Sequence, residues 1–164
     1  MLPFRPALTA PRLPEGYCLH QEPEAGRPLQ TPGLQQLSEE LNRLLLACGD
    51  QPRSADRWQA ALQRSAWHLR VSDPSDRTVG FLRATSDQAL NANLWDLLTD
   101  PADPCRDAVL TALVRTALGR LRRELSGCSI SLSAPPEAIE ALSRVGFVVD
   151  PGGIRAMGLA LRRP

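Results

Sequence analysis

One long amphipathic helix between two strand-like segments constrains this chain more than any other feature. Across residues 104–124 the apolar side chains Val109, Leu110, Leu113, Val114, Ala117, Leu118 and Leu121 recur at helical spacing and form one buried stripe. The flanking segments, 93–99 and 128–133, read as strands. Two strands joined through a single helix lie parallel in one sheet, with a right-handed crossover. Ahead of them, the turn residues Asp73, Pro74, Ser75 and Asp76 join strands 66–71 and 78–84 as an antiparallel hairpin. The polar loop 86–91 leads back into strand 93–99.

Seven of the fifteen prolines precede Gly33, so residues 1–16 read as a flexible extension and 17–164 as a single domain. Within it, 17–21 is a short strand. Helix 34–47 aligns Leu37, Leu41, Leu44 and Leu45 and stops at Gly49. Ser54 is the N-cap of a second helix carrying Trp58, Ala61 and Leu62. A short helix at 135–144 and strands at 146–149 and 156–161 complete the order β-α-α-β-β-β-α-β-α-β-β. The class is α/β, with a mixed, mostly antiparallel central sheet flanked by helices. Ligands in such sheets sit where strand ends diverge beside a helix N-terminus. Here that point is the end of the Trp95 strand, facing residues 103–110. Trp95 and Trp67 themselves are expected in the core.

A net charge of +1 argues against nucleic acid or an anionic membrane as partner, since both need a strong basic excess. Arg115, Arg120, Arg122 and Arg123 then form a solvated helix face. Cys18, Cys48, Cys105 and Cys128 lack metal-ligand spacing, so no metal is expected, and four reduced thiols suit a cytoplasmic protein. The longest aliphatic run, residues 44–48, is far short of a membrane span. His20 and His68 have no partner motif and read as structural or exposed.

Three strings occur in series: Val79-Gly80-Phe81-x-Arg83-Ala84-Thr85-Ser86-Asp87, Asn91-Ala92-x-Leu94-Trp95-Asp96, and Asp100-Pro101. Gly146-Phe147 and Asp150-Pro151-x-Gly153-Ile154-x-x-Met157 follow. Over residues 66–160 this pattern resembles the GNAT acetyltransferase superfamily, in its cyanobacterial and plant-plastid branch. The resemblance implies N-acetyl transfer from acetyl-CoA, as co-substrate, to a primary amine on a small molecule or a protein. In that branch the acceptors include arylalkylamines such as serotonin. Asp96 falls at the general-base position. The backbone of Leu97, Leu98 and Thr99 falls where pantetheine pairs, and Asp87 and Asn91 lie in a loop able to hold the amine.

Two departures from the family pattern follow. The family's loop, Arg/Gln-x-x-Gly-x-Gly/Ala, presents bare amides to the CoA diphosphate. Its positions fall on Cys105, Arg106, Asp107, Ala108, Val109 and Leu110, without a glycine. Asp103 is expected to be the N-cap, with Pro104 at N1, and to take amides that a phosphate needs. Asp100 and Asp107 add like charge, each unfavourable by about 0.3–1 kcal/mol at an exposed helix start. The family's general-acid tyrosine falls on Leu142, next to Ala141, and the single Tyr17 lies elsewhere. The leading expectation is an N-acetyltransferase with weak CoA binding. The alternative is a GNAT-fold module that has lost catalysis and binds or regulates a partner. The oligomeric state stays open, a homodimer included.

Overall fold

A computed structural model describes residues 12–22 and 31–153. Its elements run β1 (Cys18–Glu22), α1 (Thr31–Ala47), α2 (Ala55–Gln63), β2 (Trp67–Ser72), β3 (Thr78–Ser86), β4 (Asn91–Thr99), α3 (Arg106–Glu124) and β5 (Ser129–Leu132). A tight helical turn at Pro136–Ala138, α4 (Ile139–Arg144) and a last turn at Pro151–Gly153 follow. The strands form one sheet in the order β1-β2-β3-β4-β5, antiparallel except for the parallel β4–β5 pair that α3 connects. The mixed α/β architecture is the one expected.

Helices cover both faces of the sheet. The α3 and α4 side buries Trp67, Leu69, Val71, Leu82, Leu94 and Leu97. On the α1 and α2 side, Leu41, Leu44, Leu45, Trp58 and Leu62 enclose Phe81. α3 comes close because Gly80 lacks a side chain: a Cβ there would stand 2.5 Å from Val109 Cγ1 and 3.0 Å from Leu113 Cδ1. This approach sets the first turn of α3 beside the end of β4. α1 is tied to the sheet by polar contacts. Arg43 pairs with Asp100 at 3.2 Å and donates to the Thr78 carbonyl, and Glu40 accepts from the Thr78 N–H at 3.0 Å and from its hydroxyl. Ser54 caps α2 as expected, accepting from the Arg57 N–H.

Four local expectations are corrected or bounded. Residues 146–149 are not a strand. Gly146, at φ +104°, ends α4 with a paired cap in which the Phe147 N–H reaches the Leu142 carbonyl and the Gly146 N–H reaches that of Ser143. The left-handed turn breaks the extended run and leaves Val148 and Val149 exposed. Residues 156–161, the expected closing strand, lie outside the described residues. Arg120 is buried rather than solvated, stacked 5.1 Å over Trp67 and paired with Glu124 at 3.0 Å. Leu13 packs on the core, so ordered packing begins before residue 17.

Candidate functional site

The site begins with one extra residue in β4. Phe81 of β3 pairs with Leu98, but Arg83 pairs with Trp95, so a single residue, Leu82, opposes both Asp96 and Leu97. This is a β-bulge, and Asp96 within it takes a left-handed conformation, at φ +53°. The bulge reverses the in-out alternation. Leu94 and Leu97 both face the α3 side, whereas Trp95 and Asp96 both turn to the side of α1 and α2. It also coincides with the parting of β4 and β5, which pair only over Asn91–Leu94 and Ser129–Leu132. From Trp95 to Thr99 the outer edge of β4 has no partner strand among the described residues. A wedge opens there, and its mouth meets the first turn of α3.

Asp96 is held from two sides. Arg83 Nε donates to one carboxylate oxygen at 2.6 Å and Arg53 Nη2 to the other at 2.8 Å, and the side chain is only 9% exposed. Burial alone would raise its pKa, but the two arginine hydrogen bonds and their charges outweigh burial and hold it below the usual range. Each arginine is itself oriented by an indole. Arg53 lies 4.7 Å over Trp58, and Arg83 lies 5.9 Å over Trp95. Contrary to the expectation from the sequence, Trp95 is not a core residue. It is 46% exposed, with its indole N–H fixed on Thr85 Oγ1 at 2.8 Å, because the bulge turns it outward.

At the mouth of the wedge the helix starts later than expected. Asp103 closes a turn of its own: its Oδ1 accepts from the Cys105 N–H at 2.8 Å and its carbonyl from the Arg106 N–H at 3.2 Å. The N-cap is Cys105, with no side-chain cap bond. Among the described residues the amides of Asp107 and Ala108 therefore keep no acceptor, as the first turn of a helix dictates. One of the adverse charges is offset, since Arg43 pairs with Asp100, whereas Asp103 meets a neutral hydroxyl. Asp100 and Asp103 are both buried and partnered, the first by Arg43 and the second by the Tyr17 hydroxyl at 3.1 Å, which leaves Asp107 as the exposed carboxylate. Val109 and Leu110 turn into the core and do not fill the space before the helix. Arg106 spans the mouth, its Nε on Thr99 Oγ1 at 3.0 Å and its Nη2 on Glu137 at 2.6 Å.

No protein-family model matches the chain. It is 32% identical over 121 residues to the uncharacterized N-acetyltransferase ycf52 of Porphyra purpurea, a match covering 72% of this chain and 68% of that protein. It superposes on a GNAT-family acetyltransferase from Streptococcus pneumoniae with a TM-score of 0.62 at 16% identity, over 90% of this chain and 99% of the other. The chain belongs to the GNAT N-acetyltransferase superfamily. A chloroplastic relative in Oryza sativa, serotonin N-acetyltransferase 2, is 32% identical over 123 residues, which is 71% of this chain and 59% of the rice protein. No helix among the described residues is long and apolar enough to cross a membrane.

Within this GNAT domain the sequence-derived residues separate into groups. Leu97, Leu98 and Thr99 lie on the open edge of β4 and Arg106 to Ala108 in the first turn of α3, whereas Asp96 turns to the α1 and α2 side and Val109 and Leu110 enter the core. Asp87 and Asn91 lie at the other end of β4, roughly 25 Å from Thr99 at strand rise. Asp87 closes the β3–β4 turn by accepting from the N–H groups of Ala89, Leu90 and Asn91, which hold its pKa down at about 2. Leu142 is buried in α4, so the family's tyrosine position offers no proton donor. The Tyr17 hydroxyl is committed to Asp103, and burial, first, then its hydrogen bonds to Cys105 and Asp103 push its pKa up. Sequence reasoning missed Arg53, Arg83 and Glu137. Arg83 carried a signal, being a lone cation inside an otherwise buried strand. Arg53 and Glu137 carried none.

Proposed function

We propose that the chain transfers an acetyl group from acetyl-CoA to a primary amine within a ternary complex. The observation that carries this reading is the unpaired edge of β4 at Leu97, Leu98 and Thr99, opening onto free amides at the start of α3. An extended pantetheine arm bearing amides can add to such an edge as a strand would. Arg106 and the N–H groups of Asp107 and Ala108 suit the diphosphate, since an unsatisfied helix start and a guanidinium both favour anions. Val109 and Leu110 anchor that turn in the core without touching the ligand. Acetyl-CoA supplies a thioester whose carbonyl carbon accepts the amine lone pair as the carbon–sulfur bond breaks.

The bulge sets the roles around the reacting carbon. Asp96, ionised and gripped by two guanidiniums, is a poor proton acceptor, so we assign it a positioning role: it locks Arg83 beneath Trp95. The incoming ammonium then gives its proton to solvent, and the departing thiolate takes one back from solvent. The exposed Trp95 ring offers a flat stacking surface beside the wedge. An arylalkylamine acceptor fits that surface, in keeping with the name of the rice relative.

Thermal denaturation with acetyl-CoA and CoA, followed by thiol-release assays over a panel of aryl and aliphatic amines, tests the proposal. A ligand that binds only the native state raises the midpoint. A rise with both ligands, together with acetyl transfer, supports the reading. No rise at millimolar ligand and no transfer to any amine would remove it.

A further inference from the structure

Arg106 joins the two banks of the wedge. Thr99, which receives its Nε at 3.0 Å, ends β4, and Glu137, which receives its Nη2 at 2.6 Å, lies in the turn beyond β5. The ion pair thus closes the mouth where the two strands have parted. A guanidinium offers its donors in one plane, and a carboxylate and a phosphate compete for the same fork. Arg106 is 29% exposed and Glu137 40%, so water and solutes reach the pair. Among the described residues Arg106 is the one cation paired with Glu137. No comparable latch closes the Asp96 cluster, where the carboxylate is enclosed by both partners.

We infer that Glu137 is a built-in competitor for the donor's diphosphate at Arg106, and that it lowers affinity for a diphosphate donor while leaving a truncated pantetheine thioester unaffected. The inference rests on the donor reading above. An arriving diphosphate exchanges with the Glu137 carboxylate on the same guanidinium, whereas a neutral thioester brings no anion to make that exchange. The competitor is weak, as an exposed ion pair must be, so its removal gains about fivefold in affinity at most.

The test is calorimetric titration of CoA, inorganic pyrophosphate and pantetheine into the native protein, Glu137→Gln, Arg106→Gln and the double variant, with thermal melts to verify folding. Glu137→Gln should tighten CoA and pyrophosphate about three- to fivefold and leave pantetheine unchanged. Arg106→Gln should weaken CoA about tenfold, the loss of one charge-assisted contact. In the Arg106→Gln background the Glu137→Gln gain should largely vanish. An equal gain in both backgrounds would show simple charge removal and overturn the inference, as would no gain at all. If CoA binds without that gain, the donor reading survives alone. If pyrophosphate shows the gain while CoA binds to no variant, the competitor stands and the donor reading falls. Failure of both ligands with every variant removes both.

Discussion

The Asp96 cluster and the Arg106–Glu137 pair use the same chemistry at similar distances, 2.6 and 2.8 Å in the first and 2.6 Å in the second. Their consequences differ because their surroundings differ. Asp96 sits in a bulge with its side chain 9% exposed, and each of its arginine partners stacks on a tryptophan. Glu137 is 40% exposed on a short turn and has one partner. In the first region Asp96 and Arg83 have lost most of their water, so removing the carboxylate leaves the Arg83 guanidinium uncompensated. In the second, water replaces a lost partner at little cost. The wedge therefore has a rigid inner end, where the reacting carbon would sit, and an exchangeable outer end.

The sharpest way to break this contrast is Asp96→Ala. It should destabilise the protein by about 3–5 kcal/mol in urea denaturation, because two guanidiniums lose their shared carboxylate. Asp96→Asn, which keeps the shape, should retain transfer at a rate within tenfold of native once folded. A loss of a hundredfold or more would return Asp96 to the role of base.

His68 gives the rigid side a pH response. It lies buried at 5.7 Å from the Phe81 ring, and burial, then the charges of Arg120, Arg70 and Arg83, lower its pKa to about 4, with the Glu22 carboxylate 3.7 Å away not enough to reverse this. Its folded pKa lies below the unfolded value near 6.5, so the unfolded chain binds the proton first. Stability is complete above pH 6.5 and falls as pH drops from there to 4, by about 3 kcal/mol. Denaturation midpoints across this range should fall less steeply for His68→Phe than for the native chain.

Smaller effects sharpen the comparison. Gly80→Ala should cost about 1–3 kcal/mol, read as a lower melting temperature, because its methyl meets Val109 and Leu113 and pushes back the helix that lines the mouth. Trp95→Ala should raise KM for aryl amines by about tenfold at most and leave aliphatic amines unchanged, since it removes a stacking face and little else. At the other extreme, Glu137→Gln should leave stability within about 0.5 kcal/mol of native by the same denaturation. A larger change would mean that the outer end is as fixed as the inner one.

Features carried by neighbouring residues were legible in the sequence. The α3 stripe, the Ser54 cap, the hairpin at Asp73 and the parallel crossover all rest on periodicity or turn chemistry within a few positions. The late start of α3 was missed although it is local, because Asp103 can cap either a helix or a turn, and only the placement of Pro104 and Cys105 chooses. The strand expected at 146–149 failed for a similar reason, since the left-handed Gly146 ended α4 and broke the run.

What the sequence by itself determined is the order of elements as far as α4, their class and the place where two parallel strands had to diverge beside a helix. The tertiary structure alone decided which charges meet. Asp96 is joined by Arg53 from 43 positions away, Asp100 by Arg43 from 57, and Arg106 by Glu137 from 31. It also decided that Trp95 faces outward, through one extra residue in β4. The physical reason is range. Hydrophobic period and turn propensity act along the chain, whereas a bulge and an ion pair depend on which strand or loop the fold brings alongside.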